Sequence, residues 1–160
     1  VEDATAPGGA RVLEQSDGAG DEARLCVLLA DAPVARDVRV AVSCQPLDGR
    51  LDRSAGLVFR AVDDRNHYVV RANLLEKDVR LYRCVDGVRE DLAAWEQRLA
   101  KGRWHRLEAE IRGDRIVVRW NGEVVIETTD ATFTEAGRAG LWTKADSVTR
   151  FDDLRIEPLD

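Results

Sequence analysis

The chain has 160 residues, 44% of them hydrophobic and 34% charged, with a formal net charge of −6, which suits one domain built around a continuous core. An acidic chain of mixed sign is a poor match for polyanions, so nucleic acid is not expected as a partner. No apolar run reaches the roughly 18 residues a membrane-spanning helix needs, so no membrane insertion is expected.

Residues 1 to 10, VEDATAPGGA, are rich in Pro and Gly with little to bury, and read as a flexible tail or linker remnant ahead of a domain over 11–160. The sequence contains no Met, so the start is expected to be processed or trimmed. A removed export signal fits that start and an extracellular or periplasmic location, although the residues leave the compartment open. From residue 37 onward the chain alternates with period two. In DVRVAVSC, Val38, Val40, Val42 and Cys44 share one face while Arg39, Ala41 and Ser43 share the other. SAGLVFRAV and HYVVRANL follow, joined by the turn cluster Asp63-Asp64-Arg65-Asn66. Next comes a strand with Val79 and Leu81 inward, ended by Asp86-Gly87. DLAAWEQRL at 91–99 breaks the pattern, because Leu92, Trp95 and Leu99 stand at spacings of three and four, and a short helix is predicted there. WHRLEAEI then restores alternation through Leu107, Ala109 and Ile111. RIVVRW and EVVIET flank Asn121-Gly122, the pairing that favours positive φ at both turn positions and so predicts a hairpin. The closing strand carries Leu154 and Ile156. About eleven strands with turn residues between them predict an all-β fold, a sandwich of two stacked antiparallel sheets.

Alternation also assigns an outer face. With Leu57 and Phe59 inward, Arg60 points outward; with Tyr68, Val70 and Ala72 inward, His67, Arg71 and Asn73 point outward; Arg80 and Tyr82 join them from the next strand. Arg offers planar donors, Asn a donor and an acceptor, and Tyr an apolar plate with a polar rim, a combination suited to vicinal hydroxyls. Such a face also suits a sheet that simply keeps one side wet. In GLWTKADS, Trp142 faces opposite to Leu141, and an outward Trp beside Lys144 and Asp146 has the makings of a sugar platform at the rim of that face. Glu108 and Glu110 lie about 6.6 to 7 Å apart along one strand face, a distance compatible with an acid and base pair. With Arg106 beside them, they read instead as an ordinary solvated face. His67 has the chemistry of a general base, but spacing assigns it no carboxylate or nucleophile partner. His105, next to Trp104, reads as structural. Cys26, Cys44 and Cys84 lack C-x-x-C spacing and are expected to be inert thiols.

The stretches SAGLVFRAVDDRNHYVVRANLLEKDVRLYRCVDG, GRWHRLEAEIRGDRIVVRWNGEVV and GRAGLWTKADSVTRFDDLRI resemble the concanavalin A-like jelly roll of laminin-G-like domains. More closely, they resemble the bacterial domains of unknown function grouped with 3-keto-disaccharide hydrolases and labelled family 16 glycosidase-like. The resemblance covers about residues 37 to 157. It implies a concanavalin A-like jelly roll whose outer face is concave and receives sugars or related polar ligands. The Glu-x-Asp-x-x-Glu signature of family 16 glycosidases is absent, which disfavours glucanase activity. The resembled domains more often carry Tyr where this chain has His67. No cofactor is expected to be required; the resemblance admits one structural calcium near the closing strand, at Asp152 or Asp153. The leading expectation is a carbohydrate-binding module, its ligand a glycan or sugar-derived small molecule held by Arg60, His67, Arg71, Asn73 and Tyr82, with Trp142, Lys144 and Asp146 at the rim. Two readings compete with it. One is a hydrolase or lyase acting on 3-keto sugars, with His67 and Asp63 or Asp146 handling protons; the other is an adhesion module like laminin-G domains.

Overall fold

The computed structural model describes residues 1–159, which form twelve β-strands. They lie in two six-stranded antiparallel sheets. The first sheet runs β1 (Leu13–Gln15), β12 (Val148–Pro158), β3 (Val38–Asp48), β8 (His105–Arg112), β9 (Arg115–Trp120), β10 (Glu123–Thr129). The second runs β2 (Leu25–Leu29), β11 (Arg138–Lys144), β4 (Ser54–Ala61), β5 (His67–Asn73), β6 (Asp78–Val85), β7 (Val88–Glu96). Among the described residues no helix is long and apolar enough to cross a membrane.

The period-two pattern does the folding. Val40, Val42 and Cys44 of β3 stand opposite Ala109, Leu107 and His105 of β8, so a single register sends their apolar set inward together. From the second sheet, Leu57, Phe59, Tyr68, Val70, Val79, Leu81 and Leu141 meet them in one buried cluster. Removing these side chains from water supplies the main drive to fold, at about 25 cal/mol per Å2 of apolar surface. The hairpin between β9 and β10 turns on Asn121 and Gly122, at φ of 51° and 89°, as the Asn-Gly pair predicts.

The helix predicted over 91–99 is instead most of β7. Between Leu81 and Tyr82 the β6–β7 register slips: Leu81 faces Ala93, Tyr82 faces Asp91, and Leu92 is the extra residue of a bulge. The bulge lets Leu92, Ala93 and Trp95 all pack against the core. It thereby breaks the alternation and produces the spacing of three that resembles a helix. Leu99 is buried beyond the strand's end.

The first ten residues, expected as a tail, fold back on the chain. The Val1 ammonium donates to the Val12 carbonyl at 3.0 Å, and Glu2 bridges Arg11. The Gly8 N–H donates to Asp152 Oδ2 at 2.6 Å, and Asp3 pairs with Arg150 at 3.0 Å.

Candidate functional site

The two outer faces differ in kind. On the first sheet, Arg39, Glu108, Glu110 and Arg119 form an ion-pair lattice. Arg39 reaches Glu110 at 2.7 Å, and Arg119 reaches Glu108 at 2.8 Å and Glu110 at 3.4 Å. The Arg39 hydrogen bond holds the Glu110 carboxyl below its ordinary range, so Glu110 stays ionised near neutral pH and is no general acid. The glutamate pair is thus charge-matched, as Arg106 beside it in the sequence suggests, but Glu110 is buried at 8% rather than solvated.

The outer face of the second sheet buries its own chemistry. Its register aligns side chains in rows across the strands. One row reads Ser54, Asn73, Asp78; the next reads Trp142, Gly56, Arg71, Arg80; the next Gly140, Val58, Val69, Tyr82; and the last includes His67, Cys84 and Arg89. Val58, Ala61, Val69, Tyr82 and Trp142 pack into a second apolar cluster, separate from the core, with Val27 and Leu29 of β2 against it. Gly56 is the position that lets the indole lie down. A Cβ there would sit 3.0 Å from Trp142 Cε3 and 2.9 Å from the Val70 carbonyl oxygen.

Arg71 is the polar centre of the face. Only 3% exposed, it pairs with the buried Asp78 and with Glu76 at 2.6 Å, and donates to Tyr82 Oη at 2.9 Å. Two carboxylates and a phenol fix its fork, which satisfies a charge that would otherwise be costly to bury. Asn73 extends the network. Its amide donates to Asp52 Oδ2 at 3.2 Å and Glu76 Oε1 at 3.3 Å, while its carbonyl oxygen accepts from the Leu75 and Glu76 N–H groups. Burial raises the Asp52 pKa, opposed by hydrogen bonds from Ser54 and Ser147 and by the charges of Arg71 and Lys144. Tyr82 is likewise pushed up by burial and drawn down by Arg71, Arg89 and Arg80, so it remains a neutral hydroxyl at neutral pH.

The expected site residues therefore divide. His67, Arg71, Asn73, Tyr82 and Trp142 share the outer face. Lys144 ends β11 on the same side, two residues beyond Trp142, close enough for its charge to act on Asp52. Arg60 does not join them. At φ 46° it occupies a bulge of β4 opposite Ala139, between the Ala61–Arg138 and Val58–Gly140 pairs. The bulge breaks the alternation from which an outward Arg60 is read. Its side chain is fully buried and clamps the sandwich's end, donating to the Arg36 and Phe133 carbonyls at 2.5 and 2.8 Å and to Asp37 Oδ1 at 3.0 Å. Asp146 is also committed elsewhere: its carboxylate accepts from the backbone N–H groups of Arg50 (2.6 Å), Leu51 and Asp52 (both 3.0 Å), bracing the β3–β4 loop. Trp142 lies on the predicted face but is covered rather than exposed, at 1%.

Besides Val27 and Leu29 of β2, which pack against its cluster, Trp142 has Arg89 of β7 over it, a residue that the sequence did not single out. Its guanidinium carbon lies 5.0 Å from the Tyr82 ring centroid and 5.4 Å from that of Trp142. Those residues sit on β6 and β11, with β4 and β5 between them. Both rings thus lean inward beneath one cation. The signal was available in the Asp86-Gly87 turn, which sets Arg89 directly opposite Cys84, but reading 91–99 as a helix hid the strand to which it belongs.

His67 is buried at 1%, and its Nδ1 has no hydrogen-bond partner. Burial lowers its pKa, opposed by the Asp63 carbonyl and the Asp63 and Asp64 carboxylates. No carboxylate among the described residues forms an ion pair with it. Asp63 accepts from the Arg65 N–H and the Asn66 amide, and Asp146 is held by the loop. Asp152 accepts from the Gly8 and Asp153 N–H groups, and Asp153 pairs with Arg106 and Arg155. Among the described residues no cluster of three or more His, Cys, Asp or Glu is arranged to hold a metal ion.

Two clefts stand out. One of about 390 Å3 opens between edge strands β1 and β2; its lining is mainly apolar, through Leu13, Leu25, Leu28 and Phe151, but includes Glu14, Gln15 and Thr143 and borders the outer face at Trp142. Another, of about 500 Å3, is lined in part by Trp95, Trp104, His105 and Trp120. There His105 stacks on Trp120 at 4.6 Å, with one ring nitrogen 2.7 Å from the Ala100 carbonyl and the other 3.2 Å from the Asn121 amide. Both nitrogens are used, which fits its structural reading.

Residues 28–157 match the family described as the 3-keto-alpha-glucoside-1,2-lyase-like domain. No curated protein sequence matches the chain. Among solved structures, the carbohydrate binding module CBM66 from Bacillus subtilis superposes with a TM-score of 0.77 at 21% identity, covering 87% of this chain and 83% of that one. Caenorhabditis elegans galectin LEC-6 superposes at 0.60 with 11% identity, over 90% of this chain and 95% of the galectin. Xylan beta-1,4-xylosidase from Bacillus halodurans superposes at 0.65 with 13% identity, over 91% of this chain but 32% of the xylosidase. These likenesses establish the jelly-roll fold.

Proposed function

The chain belongs to the 3-keto-alpha-glucoside-1,2-lyase-like domain family, and from that membership we propose that it binds carbohydrate on the outer face of its second sheet. One observation carries the reading: a single row across β11, β4 and β5 places the Trp142 indole, the bare Gly56 and the fixed Arg71 fork side by side. An aromatic plate beside a charge-fixed donor is what a pyranose needs, apolar stacking on one side and directed hydrogen bonds to hydroxyls on the other. The titles of the superposable carbohydrate binding module and galectin support the reading. Ligand entry displaces Arg89 from over the rings or docks against it.

A lyase or hydrolase acting on 3-keto sugars needs a proton-transfer partner for His67. Asp63 and Asp146 spend their oxygens on other donors, so binding is the better-supported role for this face.

The test is a glycan array probed with the parent protein and with Arg71→Ala, Trp142→Ala and Tyr82→Phe, each checked for folding by thermal unfolding. Retention by the parent and loss in the first two variants is expected. Tyr82→Phe removes one hydroxyl from the network and keeps the ring, so it tests the face where a larger change unfolds the chain. No retained glycan, or retention undiminished in all folded variants, overturns the reading.

A further inference from the structure

Arg89 differs from its neighbours on the outer face in what satisfies its charge. Arg71 is paired with Asp78 and Glu76, and Arg80 with Asp78 and Asp91. The carboxylates of that corner are thereby spent on two arginines. Arg89, by contrast, makes ring contacts and has no carboxylate or carbonyl partner among the described residues. A guanidinium held over two rings keeps its in-plane N–H donors free, because the rings take its flat side. A second unmet donor lies beneath it, the buried Trp142 Nε1–H, which has no acceptor. Lys144, two residues along from Trp142, forms no ion pair among the described residues. The carboxylates here, Asp52, Glu76, Asp78 and Asp91, match the cations in number but lie with Arg71, Arg80 and Asn73, so the unmet groups at the rings are the Arg89 fork and the Trp142 N–H, both donors.

We infer that the ligand is an acidic glycan, one bearing a uronic-acid carboxylate, and that Arg89 is the residue that recognises its charge. The carboxylate accepts two parallel N–H donors from the Arg89 fork and so meets a charge that no carboxylate of the face pairs with. The ring of the same sugar lies against Trp142 and Tyr82. A neutral sugar offers hydroxyls to these donors but leaves the guanidinium charge unmatched, so the acid form gains the larger share of the binding energy. This inference rests on the outer face being the carbohydrate site.

The experiment is titration calorimetry with uronate-containing oligosaccharides and their carboxyl-reduced, neutral counterparts, at low and high salt, on the parent protein, Arg89→Gln, Arg89→Lys and Trp142→Phe. The acid form is expected to bind at least about tenfold more tightly than its neutral counterpart, equivalent to ~1.4 kcal/mol, with the difference shrinking as salt rises. Arg89→Gln should erase the preference, and Arg89→Lys should restore part of it, as a point charge without the fork. Equal affinity for acid and neutral forms, or a preference that survives Arg89→Gln, overturns the inference. If neutral glycans are retained and Trp142→Phe weakens them, the carbohydrate face stands and only the assignment of charge fails. If neither form is bound, the carbohydrate reading falls and this inference falls with it.

Discussion

The Trp142 indole lies against the backbone of Gly56, so that a methyl group on Gly56 would come within 3.0 Å of Trp142 Cε3 and 2.9 Å of the Val70 carbonyl oxygen. One neighbour is a ring hemmed in by Val58, Val69 and Tyr82, and the other is backbone. Neither yields cheaply. Gly56→Ala is expected to lower stability by about 1–3 kcal/mol, the ordinary cost of overpacking, and to weaken glycan binding by tilting the indole. Chemical denaturation and calorimetry on the same variant measure both. A variant as stable as the parent with unchanged affinity contradicts the role given to Gly56.

Asp146 braces the loop between β3 and β4. Although burial opposes it, the N–H groups of Arg50, Asp52 and Leu51 hold its carboxyl below the usual carboxylate range. The folded state therefore takes up its proton at lower pH than the unfolded chain does. The stability it contributes is complete above the unfolded value of about 3.9 and is lost as pH falls through the lower folded value. Asp146→Ala leaves three backbone donors without their acceptor and should cost roughly 2–4 kcal/mol at neutral pH. Its stability should also fall less steeply than the parent's below about pH 4. Parallel acid-unfolding curves for the two proteins rule this out.

Arg60 offers a control that separates folding from binding. Its guanidinium holds the carbonyls of Arg36 and Phe133 together with Asp37. Arg60→Met keeps much of the bulk but leaves those acceptors unmet, at an expected cost of roughly 2–4 kcal/mol. Affinity for glycan, measured below the variant's unfolding temperature, should not change. A selective loss of affinity with stability intact would return Arg60 to the ligand face.

His67 should be electrically silent at neutral pH. Burial depresses its pKa, so stability linked to this group is complete above the unfolded value of about 6.5 and declines as pH falls from there through the folded value. The His67 imidazole resonances of the folded protein should titrate below those of a free histidine, and His67→Phe should unfold less steeply across the same acid window. A His67 imidazole already charged at pH 7 contradicts the burial argument.

Wherever period two runs unbroken, the fold is legible in the sequence. The alternation of β3, β5, β8 and β9 and the Asn121-Gly122 turn lead to the sandwich without further help. The errors sit at bulges. One extra residue at Leu92 turned a strand into an apparent helix, and the bulge at Arg60 sent an apparently outward arginine into the sandwich's end. Alternation assigns faces only while register holds. His67, Arg71, Asn73, Tyr82 and Trp142 are correctly placed on one face because no bulge intervenes in β5 or between Gly140 and Trp142 of β11. Arg71's ties to Asp78 and Glu76, the withdrawal of Asp146 into a loop, and Arg89 over two rings from separate strands all depend on three-dimensional approach. No spacing along the chain encodes them.

The most direct test of a carbohydrate site on this face is two-dimensional NMR of the labelled protein, titrated with a glycan retained on the array. The chain contains four Trp, and each indole N–H gives its own signal. The Trp142 indole should shift on binding, along with backbone amides of β4, β5, β6 and β11, while the indoles of Trp95, Trp104 and Trp120 stay in place. Shifts confined instead to the charged face of Arg39, Glu108 and Glu110, or to the cleft around Trp104 and His105, with Trp142 unmoved, would contradict it.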